Sequence, residues 1–234
     1  MKVIGLVGGI ASGKTTVASV LEGLGAFVIN ADKLGHEAYR PGEQCYEKLI
    51  AEFGAEILKD DRERTIDRKA LGDKVFGPKN KSRMETLTGI VWPEIRVKIE
   101  QQVEAVRRGD RGPLPPCVVV EAAIMIEAGW CDMMDEVWTV AIDGRVALER
   151  LMARNHFTEE EASRRMATQK DDEFRARHAT VVLTNSGDRR ELVRQIDATW
   201  QARIAPRRLP GLPVLVALVA IAAGVAFARR RRGR

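Results

Sequence analysis

The chain has 234 residues, 45% of them apolar and 30% charged, which suits one hydrophobic core with room for a sub-domain and excludes extended disorder. Its net charge of +5 points at first to nucleic acid, but residues 203–234 hold eight arginines and no acid, which leaves residues 1–202 at −3. No nucleic-acid partner is expected, because such binding needs a basic face on the folded domain itself. Cys45, Cys117 and Cys131 form no CxxC pair and stand beside no histidine cluster, which excludes a zinc site and favours a reducing intracellular compartment.

Met1 and Lys2 run straight into an apolar strand-like segment, Val3 to Val7, so no cleaved leader is expected. The next eight residues, Gly8-Gly9-Ile10-Ala11-Ser12-Gly13-Lys14-Thr15, satisfy G-x-x-x-x-G-K-[ST] between that strand and a helix carrying Val17, Val20, Leu21 and Leu24. Glycines let the backbone N–H groups turn inward as an anion nest, and the helix starting near Gly13 points the positive end of its dipole at the same place. Lys14 supplies a cation for the β- and γ-phosphates of ATP, and Thr15 a hydroxyl for Mg²⁺. Gly8 to Thr15, with Thr16 after them, are therefore the candidate ATP contacts. A dinucleotide site is excluded by the lack of G-x-G-x-x-G after the first strand. A GTPase would need N-K-x-D, and the one Asn-Lys pair, Asn80-Lys81-Ser82-Arg83, lacks the aspartate. A small-molecule kinase remains as the natural class.

A second strand is expected at Ala26 to Ile29, and Asp32 just beyond its tip is a candidate base for the acceptor alcohol, or else a helix N-cap for the segment from Lys33. His36 follows one helical turn later as a candidate acceptor contact. From Leu34 to Arg108 the pattern is helical without a convincing strand, which predicts an inserted helical sub-domain bounded by Pro41-Gly42, Gly77-Pro78-Lys79-Asn80 and the Gly109 to Pro113 turn. A third strand, Val118 to Val120, ends at Glu121, a candidate Mg²⁺ acid. After a fourth strand at Val137 to Ile142 comes a charged helical stretch, Asn155 to His178, with a capping box at Thr158-Glu159-Glu160-Glu161. That stretch reads either as a solvated face or as a lid whose Arg154, Arg164 and Arg165 close on the phosphates. A fifth strand follows at Val181 to Leu183. Strands alternating with helices predict an α/β fold of the P-loop NTPase kind, a parallel sheet with helices on both faces, over residues 1–205.

Residues 206–211 read as a Pro/Gly linker and residues 229–234 as a basic tail. Between them, Leu212 to Ala228 are 17 residues without a charge, about 25 Å as a helix. Apolar on every face and flanked by arginines, the run predicts a C-terminal transmembrane anchor; a buried terminal helix is the alternative. The expected localisation is a tail-anchored protein with its catalytic domain in the cytosol, the mitochondrial outer membrane favoured and endoplasmic reticulum or peroxisome as alternatives.

Together these residues resemble the dephospho-CoA kinase family over about residues 1–203, most nearly the kinase half of the bifunctional CoA synthase of animals. The resemblance is carried by Gly23-Leu24-Gly25-Ala26-Phe27-Val28-Ile29, Asp32-x-Leu34-Gly35-His36 and Glu127-Ala128-Gly129-Trp130. Arg68-Lys69-x-Leu71-Gly72, Val75-Phe76-Gly77 and Trp92-Pro93 are similar to landmarks of the family's CoA domain. Arg154, Arg165-Met166-Ala167-Thr168-Gln169 and Asn185-Ser186-Gly187 are similar to its lid and late adenine-side loop. The resemblance implies transfer of the ATP γ-phosphate to the ribose 3′-hydroxyl of dephospho-CoA. Asp32 would be the base, Lys14 and the lid arginines would stabilise charge, and Thr15 and Glu121 would serve Mg²⁺. Asn185, Arg154 and Arg165 would contact ATP, and residues 34–108 would cradle the acceptor. Two departures are visible: Asn30 stands where many members carry a second acid, and Glu121-Ala122-Ala123 replaces the bacterial aspartate-isoleucine-proline run. The alternatives are a nucleoside or nucleotide kinase and a catalytically silent ATP-binding membrane scaffold.

Overall fold

Residues 2–8 make a strand buried on both faces, and the rest of the computed structural model is arranged around it. The structure describes residues 1–60 and 62–205. In chain order the elements are β1 (Lys2–Gly8), α1 (Lys14–Gly23), β2 (Phe27–Asn30), α2 (Ala31–Ala38), α3 (Gln44–Phe53), α4 (Arg68–Val75), α5 (Lys81–Arg107), β3 (Cys117–Glu121), β4 (Glu136–Ala141), α6 (Gly144–Asn155), α7 (Glu159–Ala167), α8 (Asp172–His178), β5 (Val181–Thr184) and α9 (Arg189–Arg203). The sheet order is β2-β3-β1-β4-β5 with every pairing parallel. Parallel strands are covered on both faces, which is why β1 and β3 read as continuous apolar runs rather than alternating ones.

On one face, Val3, Val7, Ile29, Val118, Val120 and Val137 pack against α2 and the second half of α5, where Ile95, Ile99, Val103 and Val106 form a stripe. The connection from β2 to β3 holds α2 to α5 and builds a second core from Cys45, Tyr46, Leu49, Phe53, Ile57, Ile66, Leu71 and Val75. Met84, Leu87, Ile90 and Val91 of α5 pack against this second core, so the first half of α5 serves the insertion and the second half the sheet. Pro93 falls between the two halves, where its missing N–H interrupts the helical ladder at the handover.

Asp32 is not the cap of the helix after β2. Asn30 holds that position, its side-chain oxygen accepting from the Lys33 N–H at 3.0 Å, and Asp32 sits in the first turn with its carboxylate released from capping. The capping box read at Thr158 is present: the Thr158 hydroxyl accepts from the Glu161 N–H and the Glu161 carboxylate accepts from the Thr158 N–H. The span expected at Leu212 to Ala228 lies outside the described residues. Among the described residues no helix is long and apolar enough to cross a membrane.

Because Ile99 is fully buried where α5 meets the sheet, Ile99→Ala should lower the unfolding free energy by about 2–5 kcal/mol. Urea denaturation would show this as a fall in midpoint at constant slope, and a loss below about 1 kcal/mol would contradict the placement of α5.

Candidate active site

The carboxyl-terminal edge of the sheet is where ligands bind in open parallel folds, and the strand register brings the chemical groups to that edge together. Leu6 and Asn30 both pair with Glu121, one from each neighbouring strand, so the acid sits between the loop that leaves β1 and the tip of β2.

The loop has the backbone of an anion nest. Ala11 takes a left-handed φ of 59° and Gly13 one of 88°, and Gly13 caps α1. Gly13 is required twice over. Its φ disfavours any side chain, and a Cβ there would stand 2.3 Å from Asn185 Nδ2, which donates to the Ser12 carbonyl at 2.7 Å. The loop is also gripped from the far side: Gln169 Oε1 accepts from the Ile10 N–H at 2.7 Å. Beside Gly9 lies the guanidinium of Arg175, only 4% exposed and paired with Asp172 at 3.0 Å, while Asp172 also accepts from the Ile142 N–H at 2.8 Å. A Cβ at Gly9 would come within 3.3 Å of that guanidinium.

At the centre Glu121, 3% exposed, accepts from Lys14 Nζ at 2.9 Å, from the Thr15 hydroxyl at 2.8 Å and from Asn30 Nδ2 at 3.1 Å. Burial alone would push its carboxyl up, but the Lys14 hydrogen bond and charge, with the Thr15 and Asn30 hydrogen bonds, outweigh burial and hold it below 4.5. The longer Glu in place of Asp therefore still reaches the lysine, the threonine and the neighbouring strand at once.

A cavity of about 860 Å³ opens above this cluster, lined by every loop residue from Gly8 to Thr16 and by Asp32, Arg154 and Asn185. Arg150, Gln169 and Arg189 line it too. Arg150 was legible in principle, since it lies one helical turn before Arg154 on the same face of α6. Arg175 and Arg189 carry no signal of spacing. Three residues singled out from the sequence lie elsewhere. Arg165 stacks over Phe157 at 4.4 Å and Arg164 pairs with Glu160 at 2.9 Å, so of the three arginines expected to close on the phosphates only Arg154 lines the cavity. His36 lines an adjoining cavity that shares Asp32 with the first.

The sequence model of a family described as dephospho-CoA kinase matches residues 2–191. A dephospho-CoA kinase of Geobacter sulfurreducens is 42% identical over 203 residues, covering 87% of this chain and 99% of that protein. One of Symbiobacterium thermophilum is 39% identical over 202 residues, covering 86% of this chain and 81% of the other. Among solved structures, the dephospho-CoA kinase of Campylobacter jejuni superposes with a TM-score of 0.62 at 25% identity, covering 86% of this chain and 97% of that one.

These findings overturn the tail-anchored localisation. The Geobacter protein is covered almost from end to end by 203 aligned residues, 87% of this chain, and so lends no support to an added anchor. Relatives from bacteria also give no foundation for a mitochondrial, endoplasmic-reticulum or peroxisomal address. An unbroken apolar run with arginine flanks was too little to carry a cellular placement.

Replacing Lys14 with methionine leaves Glu121 buried without its cation, so Lys14→Met should lose about 1.5–3 kcal/mol of stability at pH 7. The sign with pH follows from the lowered carboxyl. The wild type holds this contribution above 4.5 and loses it as pH falls through the folded value, while in the variant burial acts with less opposition and protonation brings relief. Denaturation at pH 7 and pH 4 should therefore show the gap narrowing at the lower pH; a gap independent of pH would contradict this reading of Glu121.

Proposed function

The chain belongs to the dephospho-CoA kinase family, and from that premise we propose how its own residues phosphorylate the ribose 3′-hydroxyl of dephospho-CoA with ATP, giving CoA and ADP. The observation that carries the proposal is that Asp32 and the phosphate loop line one cavity. A base and a triphosphate cradle facing the same space are what transfer to an alcohol requires.

The amides from Gly8 to Thr16 and the amino end of α1 bind the phosphates of ATP. Lys14 moves from Glu121 to the β- and γ-phosphates when these arrive, a short reach for a flexible side chain. Arg154, joined by Arg150, compensates charge on the phosphoryl group in transit, and Asn185 fixes the loop from beneath while bordering the adenine side. Asp32 accepts the proton of the 3′-hydroxyl as its oxygen bonds to the γ-phosphorus. The bond from that phosphorus to the β,γ-bridging oxygen breaks, and ADP departs with the electron pair.

Mg²⁺ fits the donors present. The Thr15 hydroxyl and Glu121 carboxylate lie 2.8 Å apart beside the phosphate site, the hard oxygen set that Mg²⁺ takes with substrate phosphates and water. Bound there, it would neutralise negative charge on the phosphates of ATP. Thr15 and Glu121 would hold it, and Glu121 is freed for this as Lys14 turns to the phosphates.

The helices of residues 34–108 form the acceptor side, with His36 facing the acceptor, and residues 155–178 form a lid. Gln169 ties the end of that lid to the loop through Ile10. Arg165 would join the phosphates only if α7 left its present place, where its guanidinium rests on Phe157.

Asp32→Asn should lower kcat by about 10² or more, the range for a positioned base, with ATP binding retained. A coupled assay for ADP with dephospho-CoA, adenosine and AMP as acceptors checks both parts. Undiminished kcat in the variant contradicts the role of Asp32, and turnover of adenosine or AMP in preference to dephospho-CoA contradicts the acceptor.

A further inference from the structure

Gln169 stands between two helices, one residue beyond the cap of α7 and two before the cap of α8, and it lines the cavity of the phosphate loop. Its backbone closes the last turn of α7, the Gln169 N–H donating to the Met166 carbonyl at 3.1 Å. The start of α8 behind it is fastened to the sheet and to the loop. Asp171 caps the helix by accepting from the Phe174 N–H at 2.7 Å, Asp172 accepts from the Ile142 N–H at 2.8 Å, and the buried Arg175 guanidinium lies beside Gly9. The stretch from Gln169 to Arg175 is thus fixed against the outside of the loop by contacts that do not involve the arginines of α7.

The contact with Ile10 also settles which way the side-chain amide is turned. A backbone N–H can only donate, so the atom 2.7 Å from the Ile10 nitrogen is the carbonyl oxygen, Oε1, and the two hydrogens of Nε2 are left for another acceptor. No acceptor among the described residues takes them. The cavity that Gln169 shares carries Lys14, Arg150, Arg154 and Arg189 against the single carboxylate of Asp32, so its guest is an anion. Among long side chains only an amide can serve in both directions here. A carboxylate accepts from Ile10 without donating, and an ammonium or guanidinium donates without accepting. The loop is in fact gripped by two carboxamides at its two ends: Asn185 donates to the Ser12 carbonyl where the loop runs into α1, and Gln169 accepts from Ile10 nearer to β1.

We propose that Gln169 is a ligand of the terminal phosphate of ATP: Oε1 stays on the Ile10 N–H while Nε2 donates to an oxygen of the γ-phosphoryl group. The inference deepens the function proposed above and rests on it. With the adenine bordered by Asn185, the phosphates run along the loop away from Ser12, and the last of them comes to Ile10 and Gln169. The hydrogen bond to Ile10 holds the rotamer in advance, so the donor is in place before the phosphate arrives and little ordering remains to oppose binding. ADP is one phosphate shorter and ends before this amide. Gln169 therefore gives the loop a means of telling ATP from ADP. Once the γ-phosphoryl group has passed to the acceptor hydroxyl, ADP has no oxygen left for Nε2, which favours its departure.

Calorimetric titration of the full chain with β,γ-imido-ATP and with ADP, each with Mg²⁺, tests the proposal in wild type, Gln169→Glu and Gln169→Ala. Gln169 is exposed and belongs to neither core, so both variants keep the fold. Gln169→Glu keeps the acceptor for Ile10 but replaces the donors with a negative charge, and should weaken binding of the ATP analogue by about tenfold to a hundredfold. Gln169→Ala admits water in place of the amide and should weaken it less, by about threefold to tenfold. Affinity for ADP should stay within about threefold of wild type in both, because a charge held in water one phosphate away is largely screened. A side chain that only tied the loop would give the opposite order, since a carboxylate accepts from the Ile10 N–H more strongly than an amide does. Gln169→Glu at wild-type affinity with Gln169→Ala the weaker, or equal losses for ADP and the ATP analogue, would therefore overturn the inference. These titrations need no acceptor, so they stand apart from the function itself: a wild type that binds the ATP analogue in this manner yet fails to phosphorylate dephospho-CoA overturns the proposed function and not the contact.

Discussion

The site depends on one buried carboxylate. Glu121 stands at the tip of β3 between two strands that end in different chemistry: β1 runs into the phosphate loop, and β2 runs into the helix that carries Asp32. A charge removed from water must be paired and hydrogen-bonded or it neutralises, so Glu121 recruits donors from both sides. Lys14 and Thr15 come from the end of the phosphate loop and the start of α1, and Asn30 comes from the tip of β2. Asn30 does double service, because the oxygen of the same amide caps α2. The orientation of the helix that presents Asp32 is therefore linked, through one amide and one carboxylate, to Lys14 and Thr15 at the start of α1.

Around that link the structure divides into a rigid part and parts anchored at their ends. The sheet and the second half of α5 share one core, and the insertion has another, with α5 common to both. This fixes α2 relative to the sheet and to the rest of the insertion. On the far side, α7 is exposed and charged, with its arginines engaged by Glu160 and Phe157, and the following Gln169 returns to the loop at Ile10. An element with little buried surface whose end is hydrogen-bonded to the nucleotide loop is suited to respond to what that loop holds.

The sequence announces those parts of this arrangement that rest on short-range rules. All five strands lie at short apolar runs of the sequence, unbroken in the buried β1 and interrupted at Thr139 in β4. The loop from Gly8 to Thr15 was legible because an anion nest next to a helix dipole needs glycine at Gly13 and a cation after it. What stayed hidden depends on distant pairing. Nothing local says that Asn30 rather than Asp32 caps α2, since both types cap well and the choice is decided by where Glu121 lies across the sheet. Arg175 looks like any arginine of a charged segment, and only the fold shows it 4% exposed beside Gly9. Arg165 and Arg154 are equally basic in sequence, yet helical phase sends one onto Phe157 and the other into the cavity. The localisation failed for a different reason: hydropathy speaks of one segment's affinity for lipid and not of where a protein resides.

In the proposed reaction the acceptor hydroxyl lies between Asp32 and the phosphate held by the loop. A crystal structure of the ternary complex with a non-hydrolysable ATP analogue and dephospho-CoA measures this directly. The ribose 3′-oxygen should lie within hydrogen-bond reach of the Asp32 carboxylate, about 2.6–3.2 Å, and in line with the γ-phosphorus. A 3′-oxygen held by another group, with Asp32 facing solvent, would contradict it.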